Sequence, residues 1–152
     1  MNRIILIGNG FDLAHKMETK YEHFISSYWE KTICDIRSKA GDAEFKNKEI
    51  HIVKVPSRWS AENTFESLKT NLKRNKSKLI FLNKFLEIVT NRVHLKNWVD
   101  VENEYYKLLK ELAINAPSCQ YDDVSKLNSD FEDIKLLLEK YLITIKNKSV
   151  YP

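Results

Sequence analysis

The run IILIGNGFDLAHK near the N-terminus restricts the possible folds of this chain more than any other segment does. An unbroken apolar segment, Ile4 to Ile7, stops at the glycine pair Gly8 and Gly10, and a helix-like pattern begins directly after it. This order predicts a buried strand, a tight turn and a helix N-terminus. Because the strand has no polar face, other strands or helices must cover it on both sides.

Length and composition limit the class of protein. At 152 residues the chain is long enough for one domain with a real core, and we expect a single domain. No apolar stretch is long enough for a membrane span, so we expect a cytoplasmic protein that does not contact a membrane. Cys34 and Cys119 have no Cys or His at ligand spacing, which predicts buried thiols and neither a disulfide framework nor a metal site. The excess of 25 Lys and Arg over 21 Asp and Glu permits an anionic partner without requiring one.

The first helix is predicted to run from about Phe11 to Ile36, with an interruption near residues 16–19. Thr19 followed by Glu22 forms a capping box, which would start a second helix at this point. The chain after the glycine turn is therefore expected to be helical for several turns.

The middle of the chain is less regular. The charged residues 38–48 predict an exposed connection, and EIHIVKV at 49–55 alternates weakly and ends at Pro56, which predicts a strand. The basic stretch 69–78 predicts a solvated loop. Residues 79–93, LIFLNKFLEIVTNRV, fit a strand that runs into a helix or a single buried helix, and their periodicity does not decide between the two.

Two amphipathic helices are predicted in the second half. Apolar residues recur at steps of three and four from Trp98 to Leu112, and again from Val124 to Ile145. The short connection contains Pro117, which favours an antiparallel helical hairpin. A coiled-coil homo-oligomer through these C-terminal helices is the alternative, although roughly three heptads barely reach the usual threshold.

Glu102 breaks the pattern of the first of these two helices. At about 100° per residue it falls in the same arc as Val101, Tyr105 and Leu109, whereas Glu104 falls on the other side. A carboxylate on an apolar face must be paired, hydrogen-bonded or protonated, because an unpaired buried charge costs several kcal/mol. Glu102 is therefore either a structural acid with a nearby partner or a site residue.

The glycine turn itself has two interpretations. A glycine pair lets the backbone approach a phosphate and leaves helix N–H groups pointing outward, which suits a nucleotide. The dinucleotide fingerprint fails, however, because Leu13 occupies the place of the third glycine. Asp12 would repel a phosphate at the helix N-terminus, so it either faces a ribose hydroxyl or caps a helix that has no ligand. His15 lies nearby and could act as an acid or base at neutral pH, or donate a structural hydrogen bond.

These residues resemble two blocks of a known family. The run from Gly8 to His15, followed by Thr19, Tyr21 and Phe24, is similar to the N-terminal signature of the AbiH family of bacterial abortive infection proteins. The run Trp98-Val99-Asp100-Val101-Glu102 is similar to the second block of the family, a tryptophan followed by an acidic pair. The resemblance implies a role in defence against bacteriophage, in which an infected cell stops growing or dies before the phage matures.

The resemblance further implies a distant similarity to sirtuin-like domains, which consume NAD. Their first NAD-binding loop reads glycine, small residue, glycine, apolar residue and small polar residue. In this chain those places hold the residues Gly8, Asn9, Gly10, Phe11 and Asp12. The resemblance implies that they bind NAD or a related nucleotide through backbone N–H groups. Asp12, His15 and Glu102 are then the candidate catalytic residues.

Parts of the family pattern are missing. Lys16 and Glu18 stand where relatives often have glycine and a loop residue, and the later Asn-Tyr-Thr and His segments do not occur before Pro152. The resemblance therefore implies the N-terminal part of an AbiH-like protein, and an NAD hydrolase only in a complete form. We expect this chain alone to bind nucleotide weakly and to leave NAD intact.

The expected fold class is helix-rich α/β. It combines a Rossmann-like first strand, turn and helix, few parallel strands and a C-terminal helical hairpin, and an incomplete domain remains an alternative. Two other functions stay open, a non-enzymatic helical interaction module and a weak nucleic-acid binder. The basic stretch 69–78 has no interleaved aromatic residues for base stacking, so the sequence does not favour nucleic acid as a partner.

Overall fold

The computed structural model describes residues 18–59, 62–96 and 101–150. The predicted first strand, the glycine turn and residues 97–100 lie outside these ranges. In the described residues, five helices and three strands follow one another in the order α1 Tyr21–Arg37, β1 Glu44–Lys46, β2 Ile50–Val53, α2 Phe65–Arg74, β3 Lys78–Phe81, α3 Lys84–Lys96, α4 Val101–Ala113 and α5 Val124–Val150. The predicted helix-rich α/β class is confirmed.

The three described strands form one antiparallel sheet in the order β1-β2-β3. The predicted parallel strands are thus not among them. Ile50 and Ile52 of β2 are completely buried and alternate with the half-buried His51, which confirms the strand predicted within residues 49–55. The central strand β2 therefore supplies the fully buried residues of the described sheet.

Strand β1 lies within residues 38–48, for which an exposed connection was predicted, so that prediction is wrong for residues 44–46. The Asn47 side chain makes the hairpin: its Oδ1 accepts hydrogen bonds from the N–H groups of Glu49 and Ile50 at 3.0 and 2.7 Å. Glu44 and Lys46 point to solvent while Phe45 packs on the core. An edge strand with two charged residues out of three does not show the apolar alternation that identifies a strand.

The stretch 79–93 forms a strand followed by a helix. Asn83 produces the break, because its Oδ1 accepts a hydrogen bond from the N–H of Leu86 at 2.8 Å and so caps α3. Its side-chain amide donates to the carbonyl of Asp130 on α5 at 2.9 Å. One buried asparagine thus ends the strand, starts the helix and connects the corner to α5.

Residues 69–74 of the basic stretch lie in helix α2, which runs from Phe65 to Arg74, so the predicted loop is wrong there. Thr64 caps the helix by accepting a hydrogen bond from the N–H of Ser67 at 3.2 Å. Phe65, Leu68 and Leu72 are buried at the spacing of one helical face, and the lysines remain exposed. The helix forms because three apolar residues at the right spacing are enough to dock it, even in a polar segment.

Helix α1 lies at the centre of the core. Its inner face buries Phe24, Ile25, Trp29, Ile33 and Ile36. The Trp29 indole lies 4.4 Å from the Phe65 ring, measured between centroids, and donates a hydrogen bond to Oγ1 of Thr90 at 3.2 Å. A helix does start at the predicted place, beginning at Tyr21, but its N-cap is Lys20, one residue after the predicted cap Thr19.

The predicted C-terminal helical hairpin is formed by α4 and α5. Tyr105 of α4 stacks on Phe131 of α5 with centroids 4.3 Å apart, and its hydroxyl donates to Oδ1 of Asn128 at 2.7 Å. Phe131 also contacts Phe85 of α3, edge to face at 5.3 Å. No helix of the described part is both long and apolar enough to cross a bilayer.

Candidate functional site

Most of the predicted site residues lie outside the described residues. These are the five residues of the glycine turn, Gly8, Asn9, Gly10, Phe11 and Asp12, together with His15. Of the predicted site, Glu102 is the residue that the structure places. The proposed nucleotide contacts of the turn therefore rest on the sequence.

Glu102 lies in the first turn of α4 with its side chain exposed, so the prediction that it points into an apolar face is wrong. The apolar face predicted for α4 was centred too close to Glu102. Val101 and Leu108 are buried and Ala113 is exposed, so the face of α4 that packs on the protein contains Val101, Tyr105 and Leu108. Glu102 is about 100° away from Val101 and reaches solvent. An exposed carboxylate is accessible to a ligand and requires no buried partner.

The acid that α4 turns toward the protein is Glu104. Its side chain is 12% exposed, with Oε1 2.8 Å from Nζ of Lys107 and Oε2 3.6 Å from Nε of Arg92 on α3. This ion-pair cluster links α3 to α4. Glu104 was predicted on the solvent side, and the signal that could have corrected this prediction is the spacing of three residues between Glu104 and the basic Lys107.

Asp130 is the most completely bonded carboxylate of the described part. It is 1% exposed, and its Oδ2 accepts hydrogen bonds from the Tyr121 hydroxyl at 2.8 Å and from the Lys84 N–H at 3.0 Å. Its Oδ1 accepts from Nζ of Lys126 at 2.6 Å. Burial raises the pKa of Tyr121, and the hydrogen bond to Asp130 raises it further. With its oxygens occupied by protein donors, Asp130 is a structural acid.

A second polar cluster lies where α1, the β1–β2 turn and α5 converge. Glu49 is 8% exposed, and burial raises the pKa of its carboxyl above the ordinary value of 4.5, with a further increase from the charge of Asp133. Lys48 forms an ion pair with Asp133. The positive charges of Lys48 and Lys140 oppose the rise in the pKa of Glu49. Glu49 can therefore hold a proton at a higher pH than an exposed glutamate.

Tyr28 belongs to the same cluster. Its hydroxyl is buried, with the side chains of Asn47 and Thr32 as its polar neighbours in the described part of the chain. Burial raises the pKa of this phenol, and the negative charge of Glu49 raises it further. A buried carboxyl beside a buried phenol is a pair that sequence reasoning missed, because the two residues come from separate elements and neither belongs to a motif.

Among the described residues, no group of three or more His, Cys, Asp or Glu side chains is placed to hold a metal ion. Both cysteines are free thiols, with Cys119 half-buried and Cys34 exposed, so the prediction of a buried thiol is wrong for Cys34.

An open groove of about 420 Å³ runs along α5 and is lined by the residues Lys135, Leu138, Glu139, Leu142 and Ile143.

One comparison with known proteins is positive. A family model described as bacteriophage abortive infection AbiH matches residues 4–150. No curated protein and no solved structure is similar enough to the chain to be matched to it. The matched range includes the glycine turn, His15 and Glu102.

Proposed function

The chain belongs to the AbiH family of bacteriophage abortive infection proteins, and from that membership we propose that it acts in anti-phage defence with the glycine turn Gly8 to Asp12 as its nucleotide site. The family match over residues 4–150 carries the proposal, because it includes both sequence blocks that hold the candidate site residues. Membership in the family suggests the cellular role, and the turn suggests the ligand.

A nucleotide related to NAD suits the residues of the turn. Gly8 and Gly10 would let backbone N–H groups approach a phosphate closely, and the helix after them would favour the negative charge. Asp12 would repel a phosphate, so in this proposal its carboxylate accepts a hydrogen bond from a ribose hydroxyl. His15 and Glu102 would supply acid and base groups, and the exposure of Glu102 leaves it accessible to a ligand.

The test combines a cellular and a biochemical measurement. Bacteria that express the chain are challenged with phage, and plaque counts are compared for the parent, Gly10→Val and Asp12→Asn. The purified proteins are titrated with NAD by calorimetry and tested for nicotinamide release. We expect both variants to lose phage protection and whatever NAD binding the parent shows. Full protection by Asp12→Asn and Gly10→Val would contradict the role of the turn.

Gly41→Val is the matched control. Gly41 has a φ of +89°, the left-handed region that disfavours other residues, and no atom lies within 4 Å of the position that its Cβ would occupy. The substitution therefore strains a tight turn at a glycine that belongs to neither block of candidate site residues. Loss of protection by Gly10→Val but not by Gly41→Val, with similar melting temperatures, separates a ligand effect from a fold effect.

A helical interaction module is the second candidate, favoured by the apolar side chains that α5 exposes. Leu136, Leu142 and Ile143 are 50, 39 and 51% exposed. In this alternative, charged substitutions on α5 would abolish phage protection while Asp12→Asn would leave it intact. The two sets of variants therefore distinguish the two functions in one plaque assay.

A further inference from the structure

The turn between β1 and β2 is tied to two distant parts of the fold. Nζ of Lys48 lies 2.5 Å from Oδ1 of Asp133 on α5. The backbone carbonyl of Glu49 accepts hydrogen bonds from the N–H groups of Leu82 and Asn83, at 2.8 and 3.0 Å, where β3 leads into α3. The backbone of Glu49 is therefore fixed at this corner, and full hydration of its buried side chain requires the turn to move.

The surroundings of the Glu49 carboxyl favour its neutral form. The described titratable groups that act on it come from three elements, Tyr28 of α1, Lys48 of the turn, and Asp133 and Lys140 of α5. Lys48 is already paired with Asp133, whose side chain is only 16% exposed, so this lysine serves two shielded carboxylates. Lys140 is exposed to solvent, which screens its charge. Burial is therefore not offset by a cation of its own, and it raises the pKa of Glu49.

We propose that ionisation of the Glu49 carboxyl releases the β1–β2 turn from α5, so that this corner of the fold opens locally as the pH rises. A carboxylate shielded from water is costly, and opening of the turn hydrates it. Strand β1 moves with the turn, because it is an edge strand of three residues that is paired with β2 alone among the described strands. The opening involves neither Glu102 nor the glycine turn, so it does not depend on the proposed function.

The direction of the pH effect follows from the two states of Glu49. In the open turn its carboxyl has the ordinary glutamate pKa of 4.5, and in the closed turn the pKa is higher. The proton therefore stabilises the closed turn fully below pH 4.5, and this stabilisation is lost as the pH rises through the pKa of the closed turn. The open population increases across this window and is constant above it.

Amide hydrogen exchange followed by NMR tests the proposal. The intrinsic exchange rate of each amide is divided by the measured rate at the same pH, which gives a protection factor. The probes are the N–H groups of Asn47 and Lys54, which donate to the carbonyls of Ile50 and Ala43 within the hairpin. Between pH 4.5 and pH 8 we expect both protection factors to fall roughly threefold or more in the parent and to stay constant in Glu49→Gln.

Exchange at low urea concentrations separates local opening from global unfolding. Leu72, buried in α2, is the reference for larger openings. We expect the exchange of Asn47 and Lys54 to be nearly independent of urea, because a local opening exposes little surface. The exchange of Leu72 should increase steeply with urea.

Two further variants isolate Glu49 from the other charges of the hairpin. Glu44→Gln removes the ion pair of 2.8 Å between Glu44 and His51, which links β1 to β2. Lys48→Gln removes the ion pair with Asp133. We expect both variants to keep the pH dependence, because both keep the Glu49 carboxyl. Lys48→Gln should also lower the protection factors at both pH values, since the turn loses its ion pair with α5.

Three outcomes overturn the proposal. Equal protection of Asn47 at pH 4.5 and pH 8 in the parent shows that ionisation does not open the turn. A pH dependence that survives in Glu49→Gln, or disappears in Glu44→Gln, assigns the effect to another group. Exchange of Asn47 with the same urea dependence as Leu72 shows that the turn opens only when the larger fold does. None of these measurements involves NAD or phage, so they stand apart from the test of the proposed function.

Discussion

Tyr121 and Asp130 meet through a hydrogen bond of 2.8 Å between two buried side chains, the phenol hydroxyl donating to Oδ2 of the carboxylate. Tyr121 lies in the connection before α5 and Asp130 in the second turn of that helix. The same carboxylate accepts the N–H of Lys84 at the start of α3. Three separate pieces of chain are therefore joined at one acid.

Asp130→Ala should be strongly destabilising. The substitution removes the acceptor of the Tyr121 hydroxyl, the Lys84 N–H and the Lys126 ammonium, and buried donors that lose their acceptor are costly. We expect a loss of about 3–5 kcal/mol in the free energy of unfolding, measured with urea. Asp122→Ala changes an exposed carboxylate nearby and should stay within about 0.5 kcal/mol of the parent. Equal stability of the two variants would contradict the structural role of Asp130.

Thr90→Val tests the link between α1 and α3. Valine has nearly the shape of threonine but cannot accept the hydrogen bond of the Trp29 indole, which is 1% exposed. The N–H would be left unpaired, at a cost of about 1–3 kcal/mol in urea denaturation. Thr70→Val on the exposed side of α2 is the control and should be nearly neutral. A Thr90→Val variant as stable as this control would show that the hydrogen bond contributes nothing.

Glu49→Gln should make the protein more stable at neutral pH. The pKa of Glu49 is raised in the folded state, so the folded protein keeps a proton that the unfolded chain has released. The resulting stabilisation is fully present below the ordinary glutamate value of 4.5 and is lost as the pH rises through the higher folded pKa. Glutamine stays neutral throughout. The variant should therefore melt like the parent near pH 4 and on the order of a few degrees higher at pH 7.

Glu139→Gln is the control for this pH series, because Glu139 is exposed on α5. Its melting temperature should follow that of the parent at every pH. If the Glu49→Gln variant shows the same difference from the parent at pH 4 and pH 7, burial of the charge is not what destabilises the parent.

Glu102 and Glu104 give a matched pair on one helix. Glu104→Gln breaks the ion pairs with Arg92 and Lys107, and should cost about 1 kcal/mol, less in high salt because the cations are partly exposed. Glu102→Gln should change stability by less than about 0.5 kcal/mol because its side chain is exposed. If the proposed site includes Glu102, this variant and not Glu104→Gln loses phage protection. The reverse pattern would exclude Glu102 from the site.

Periodicity found the long amphipathic elements but assigned the α4 face incorrectly. The steps from Val124 to Ile145 predicted α5, because a long helix shows its packed face several times over. On the shorter α4, a small error in the predicted direction of the buried face decided whether Glu102 or Glu104 was assigned to that face. Leu108 is buried because neighbouring helices pack against it. The local sequence carries no information about those contacts.

Apolar spacing and motif order are properties of the chain, and they were enough to predict the helix-rich α/β class, the β2 strand, the C-terminal hairpin and the family. Packing in three dimensions was needed to show that Phe45 belongs to an edge strand, that residues 65–74 are helical and that Asp130 and Glu49 are buried acids. These features depend on groups far apart in the chain, as in the 47-residue separation between Asn83 and Asp130. A charged or polar residue is buried when distant elements supply its hydrogen-bond partners or exclude water from it, and that depends on packing in three dimensions.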